Sequence, residues 1–291
     1  MVTHCAEYRS WNAALNYVAM VANTLIALGP GKRAREREEV RQGVEGNDHQ
    51  KADYGIDAPH AVRNAALAGA AALAVGIGLS VMRSPSQPMF VNAARILGFF
   101  IGFILLPLAG AQILFSKVGK FRERDRLLNS IPWRGDETVL DVGCGRGLLL
   151  VGAAKHLRTG RAVGVDIWQS KDQSDNHPEA TCKNARLEGV ADRVEVKNGD
   201  ARQLPFEDGT FDVVVSSLVL HNIHDTTERK KAVQEIVRVL KGGGRVAILD
   251  IWHTNKYEQE LRNSGIQEVS RSGLHLPLGP VRVVSGRKPA T

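Results

Sequence analysis

Aromatic residues make up only 5% of this 291-residue chain. That is too few for the stacking platforms, interleaved with basic residues, on which nucleic acids are held. No nucleic-acid partner is therefore expected, although the net charge of +7 permits attraction to nucleic acid or to an anionic membrane. Cysteine is scarce as well. Cys5, Cys144 and Cys182 are odd in number, far apart and without metal-ligand spacing, so neither a disulfide framework nor a metal site is expected. Such usage fits a reducing cytosolic setting. Charge itself is missing from two long stretches, residues 64–82 and 96–116.

Each of these stretches is long enough to cross a hydrocarbon core of about 30 Å as a helix. Arg63 and Arg83 bracket the first, Arg95 and Lys117 the second, and the run Ser-Pro-Ser-Gln-Pro at 84–88 predicts a short turn between them. The two form a transmembrane helical hairpin over 61–116, in contact with membrane lipids through 64–116; an Ala/Gly-rich soluble hairpin is the competing reading. Gly98 and Gly102 make a G-x-x-x-G pair that lets helices approach closely, and Pro107 predicts a kink. Lys32, Arg33, Arg35, Arg37, Arg41, Lys51 and Arg63 precede the hairpin, and Lys117, Lys120, Arg122, Arg124 and Arg126 follow it. By the positive-inside rule both ends are cytoplasmic. The later cluster sits against anionic headgroups or, with Glu123 and Asp125, forms a solvated helix face. Residues 1–60 read as a poorly ordered extension, in which 11–29 is a marginal third span, an interfacial helix or a poor signal peptide without an A-x-A cleavage site.

The most informative run is Val-Leu-Asp-Val-Gly-Cys-Gly-Arg-Gly at 139–147. It is an apolar strand with Asp141 near its end, then Gly143, Gly145 and Gly147 in alternation before the apolar Leu148, Leu149 and Leu150. Glycines supply the positive φ of a sharp turn and let backbone N–H groups approach a ligand without a Cβ in the way. The dinucleotide fingerprint needs G-x-G-x-x-G, which this spacing does not give. Asp141 suits a cationic or amino-acid end better than a pyrophosphate. Further strands follow in order. The run 161–168 carries Asp166 about 20 residues past the turn, where doubly wound folds place the acid that grips ribose hydroxyls. Asp200 closes a third strand, residues 211–217 are a continuous apolar run of the kind buried on both faces, and residues 240–250 end a helix and begin a fifth strand.

On these motifs the chain resembles the class I S-adenosylmethionine-dependent methyltransferases, whose first motif is D-x-G-x-G-x-G. The resemblance implies S-adenosyl-L-methionine as cofactor, with Asp141, Gly143, Cys144, Gly145 and Gly147 forming the turn around it. It implies Asp166 at the ribose, Trp168 along the adenine, Asp200 facing the adenine amino group, and Ile167, Ala201 and Ser216 among the contacts. Taken singly, the three acids also suit helix caps or turns, and Cys144 a small buried filler.

The run Leu-His-Asn-Ile-His-Asp at 220–225 resembles the acceptor-side motif of the ubiquinone and menaquinone C-methyltransferases. His221 and His224 are the candidates for acceptor contact or proton removal, with Asp225 as orienter. In the competing reading Asp225 caps a helix and one histidine packs internally. Residues 53–59, Asp-Tyr-Gly-Ile-Asp-Ala-Pro, resemble a phrase of bacterial two-span methyltransferases. Two departures from the family pattern stand out: Gly242 replaces the proline of L-K-P-G-G, and with no aromatic residue beyond Tyr257 a lid there must use Leu274, Leu276 and Leu278.

The expected fold is α/β: a Rossmann-like seven-stranded, mostly parallel sheet with helices on both faces, occupying 117–291 as a methyltransferase domain after the hairpin. Helices are expected after Gly147, at 177–187 and at 227–240, and the last strands near 266–270 and 281–287, the final one antiparallel. The expected function is methyl transfer to a small lipophilic acceptor by an enzyme held in a bacterial cytoplasmic membrane with its catalytic domain in the cytoplasm. Methylation of a soluble metabolite or protein, and a non-catalytic S-adenosylmethionine-binding subunit of a membrane complex, are the alternatives.

Overall fold

The structure is a computed structural model that describes residues 2–5, 50–82, 84, 87–169, 173–275 and 280–290. The segment 11–29, the charged run after it, and Leu276 and Leu278 lie outside the described residues.

Eight strands form one sheet among the described residues: β1 (Val2–His4), β2 (Thr138–Val142), β3 (Arg161–Asp166), β4 (Val194–Asn198), β5 (Phe211–Ser217), β6 (Leu240–Asp250), β7 (Gln267–Arg271) and β8 (Arg282–Arg287). Their order is β1-β4-β3-β2-β5-β6-β8-β7. β2 pairs in parallel with β3 and β5, and the parallel set extends to β4 and β6. β8 inserts antiparallel between β6 and β7. These seven strands are the expected sheet. The eighth, β1, runs antiparallel along β4 at the edge. It was not foreseen, and neither was the disulfide between Cys5 and Cys182 just beyond it. Spacing along the chain carries no trace of that pairing, because 177 residues separate the two cysteines.

The central strands read as apolar runs because both their faces are covered. On one face Leu127, Leu128, Leu149, Leu150 and Leu157 form a core with Val139 and Val215. They come from α3 (Lys120–Asn129), α4 (Leu148–Ala154) and the turn after α4. On the other face Ala232, Val233 and Ile236 of α6 (Thr226–Val239) and Tyr257 and Leu261 of α7 (Thr254–Asn263) pack on Leu140, Val214 and Ile248. Each fully buried Leu or Ile contributes about 1.5–3 kcal/mol. α5 (Pro178–Leu187) completes the first face and bonds to the bridge at Cys182.

Ahead of this domain α1 (Pro59–Val81) and α2 (Met89–Leu114) form the hairpin, and Gln87 N–H closes the turn on Ser84 O at 3.2 Å. The G-x-x-x-G pair lies in the contact: a Cβ at Gly98 would sit 2.6 Å from Ala72 O, and one at Gly102 2.9 Å from Leu73 Cβ. The outward faces carry Leu67, Val75, Ile77, Phe100, Phe103 and Ile104, all exposed. Both helices are long and apolar enough to cross a membrane. α2 runs through Pro107 and passes by a π-helical turn (Phe115–Gly119) into α3. Residues 53–58 strap the hairpin to the domain. Lys120 Nζ donates to Tyr54 O at 2.7 Å and Gly55 O at 2.9 Å, and Arg146 Nε to Asp53 O at 2.8 Å.

Candidate functional site

Strand order reverses at β2, and the crevice outside the carboxyl ends of strands at such a point is where open α/β sheets bind ligands. A cavity of about 690 Å³ opens there. Its floor is the glycine turn. Gly143, Gly145 and Gly147 have φ of +74°, +50° and +84°. A Cβ at Gly143 would stand 2.3 Å from Val219 Cγ2, so the turn needs glycine for space as well as for its dihedral angle. Gly143 N–H donates to Val165 O at 2.7 Å and Gly145 N–H to Asp166 Oδ2 at 2.8 Å, which locks the turn onto the end of β3.

The three acids sit on the ends of neighbouring strands and all line the cavity. Asp141 is 1% exposed, and its Oδ2 has no hydrogen-bond partner among the described residues. Burial pushes its carboxyl up to about 8, the Asp166 charge adds to this, and a backbone hydrogen bond from Leu150 works against it. Asp166 also accepts from Trp168 N–H at 2.6 Å. Asp200 is bound by the Arg202 side chain and backbone, which together hold its carboxyl below the usual range against the opposing effect of burial.

Ile167, Ala201, Cys144, His221, His224 and Asp225 also line the cavity. Gly147, Trp168 and Ser216 are not among its lining residues. Gly147 is the N-cap of α4. Trp168 gives its indole N–H to Asn198 Oδ1 at 2.5 Å, and Ser216 points back to donate to Val142 O at 2.9 Å. Cys144 is buried and packs against β3, where a Cβ at Gly164 would meet its Sγ at 2.7 Å. Burial raises its thiol far above the ordinary value, which suits a filler rather than a nucleophile.

On the acceptor side one role moves. Asp225 is the N-cap of α6 and accepts from Glu228 N–H at 2.9 Å, as strand-to-helix junctions favour. The carboxylate that holds a histidine is Asp250, at the end of β6. His221 Nδ1 lies 2.5 Å from Asp250 Oδ1. Asp250 is fully buried and also accepts from the backbone N–H of His221 and Ile251 and from the Tyr257 hydroxyl at 3.1 Å. Burial, with the neighbouring Asp250 charge, keeps that phenol un-ionised. The pair leaves Nε2 as the other nitrogen of a ring that faces the cavity. His224 is exposed and has no side-chain partner among the described residues. An acid at the end of a strand, next to the 220–225 loop in the fold though 29 residues away in sequence, was the one available signal for Asp250.

The family described as methyltransferase domain matches residues 140–248. The demethylmenaquinone methyltransferase of Lactobacillus johnsonii is 31% identical over 129 residues, 44% of this chain and 49% of that one. The ubiquinone/menaquinone biosynthesis C-methyltransferase of Escherichia fergusonii is 36% identical over 118 residues, 40% of this chain and 43% of that one. The 27-O-demethylrifamycin SV methyltransferase of Amycolatopsis mediterranei is 33% identical over 129 residues, 44% of each. The chain spans about half the length of the curated relatives it matches. Over residues 140–248 the chain thus matches a methyltransferase domain, for which the expected cofactor is S-adenosylmethionine. The cavity fits that molecule: the partnerless Asp141 Oδ2 suits its cationic end, the glycine turn leaves room for close backbone approach, and Asp166 stands one strand away.

Proposed function

We propose that this protein is an enzyme that transfers a methyl group from S-adenosylmethionine to a small lipophilic acceptor, and that residues 64–116 hold it in a membrane with both flanks on the cytoplasmic side. One observation carries the reading: a single cavity joins the glycine turn and its acids to the His221–Asp250 pair.

When bound, the cofactor supplies a sulfonium methyl that is already activated, so the protein's work is alignment and water exclusion. Holding donor and acceptor in line supplies about 7–11 kcal/mol of the barrier reduction. Asp141, Gly145 and Asp166 fix the donor end. His221 stands on the acceptor side, where its Nε2 accepts the proton that an acceptor hydroxyl or acidic carbon gives up. Asp250 takes the Nδ1 proton in a hydrogen bond, which sets the tautomer, and Tyr257 holds the carboxylate from behind. The relatives' names include quinone-type and O-methylated acceptors. Together with the apolar hairpin they favour a lipophilic acceptor over a soluble one.

The test is incubation of the full-length protein in vesicles with methyl-labelled S-adenosylmethionine and a lipid extract of the source cells' membranes. Label that moves into organic-extractable product supports the reading. Label found only in water-soluble product refutes the lipophilic acceptor.

A further inference from the structure

The cavity does not end at the sheet. Leu108, Ala111, Gln112 and Phe115 of α2 and its π-helical continuation form part of its wall. Seven residues separate Leu108 from Phe115, a rise of about 10 Å along a helix. The wall therefore reaches about two turns into the uncharged stretch 96–116, beyond the basic residues that mark its cytoplasmic end. Leu108 is 58% exposed and Ile104, one turn further, 48% exposed, so the apolar lining of the cavity continues into the outward face of the hairpin. Gln112 interrupts this surface. It is half-buried, lines the cavity, and its side-chain amide makes no hydrogen bond among the described residues. A polar amide so placed is kept for a ligand's polar group, since desolvating it without a partner is unfavourable.

We propose that α2 is a wall of the acceptor site itself, so that the acceptor enters sideways from the bilayer and reacts with its hydrocarbon tail lying along Leu108 and Ala111 and its polar head at Gln112. The inference rests on the methyltransferase reading and gives its acceptor a shape: a polar ring or headgroup carrying a long apolar chain. A tether of any composition would raise the local concentration of a membrane acceptor. Only a wall would make transfer depend on which face of α2 is altered.

Two substitutions one residue apart separate these cases. Ala111 lines the cavity, whereas Gly110 does not, and a Cβ added at Gly110 meets nothing within 4 Å. Full-length Ala111→Trp and Gly110→Trp are placed in vesicles made from the source cells' membrane lipids and supplied with methyl-labelled S-adenosylmethionine. Cofactor affinity is measured on the same preparations. The expected result is a fall of at least about tenfold in label reaching the organic phase for Ala111→Trp, wild-type transfer for Gly110→Trp, and cofactor affinity within about twofold of wild type for both. Gln112→Ala should lower transfer in the same direction. Equal transfer by the two tryptophan variants, whether normal or lost, overturns the proposal. A wild-type protein that labels only water-soluble product also overturns it while leaving the methyltransferase reading intact, whereas failure to bind the cofactor at all strikes that reading instead.

Discussion

His221 Nδ1 and Asp250 Oδ1 lie 2.5 Å apart, the imidazole at the cavity wall and the carboxylate fully buried behind it. In the proposed mechanism the buried acid accepts from Nδ1–H, which leaves the Nε2 lone pair for the acceptor. His221→Ala should lower kcat by about 10²-fold where proton removal is part of the step, with cofactor affinity nearly unchanged. Asp250→Asn should lower it in the same direction by disturbing the tautomer. His224→Ala, at an exposed residue without a side-chain partner among the described residues, should do less. Steady-state kinetics beside calorimetric cofactor titration checks all three.

Asp166 organises the turn as well as facing the cavity, since it accepts from Gly145 N–H and Trp168 N–H. Asp166→Ala should weaken S-adenosylmethionine binding strongly by removing charge-assisted hydrogen bonds to the ribose, while circular dichroism shows the fold retained. Unchanged affinity would remove Asp166 from the cofactor site.

Asp141 gives the protein a pH signature. Burial holds its carboxyl protonated up to about 8, against an ordinary value of 3.8. Between these values the folded state binds the extra proton, so this group makes stability fall as pH rises through that window and level off above it. Asp141→Asn should flatten the slope, which melting temperatures of both proteins across the window would show. The cationic end of the cofactor favours the ionised form, so binding near neutral pH should release a proton, detectable calorimetrically in buffers of different ionisation enthalpy.

Both Asn47 and Thr291 should face the cytoplasm and Gln87 the opposite side, as the distribution of Lys and Arg requires. Single cysteines introduced at these three positions and labelled from each side of the membrane decide it. Labelling of all three from one side would contradict a spanning hairpin.

Local signals made much of this fold legible. α6 was expected at 227–240 and runs Thr226–Val239, because its apolar residues recur at helical spacing; Lys-Gly-Gly-Gly, expected as its stop, lies instead in β6, which begins at Leu240. β7 and β8 lie within a residue of their expected bounds for the same kind of reason. The glycine turn was readable because its chemistry is local. The pairing of His221 with Asp250 is tertiary, made when β5 and β6 lie side by side, and an adjacent Asp225 looked the nearer partner until its helix claimed it. Trp168 and Ser216, expected at the cofactor from motif position, bond instead to Asn198 and Val142 and are not among the residues that line the cavity. The edge strand β1 and the Cys5–Cys182 bridge are long-range in the same way. In a reducing cytosol that pair is held as thiols, and β1 then rests on its pairing with β4.

The most direct measurement of the central claim is calorimetric titration of the full-length protein with S-adenosylmethionine and, separately, with NAD. Saturable binding of S-adenosylmethionine at one site per chain, lost in Asp166→Ala, with no comparable binding of NAD, is the predicted result. Preference for NAD, or no binding of S-adenosylmethionine by the intact protein, would contradict it.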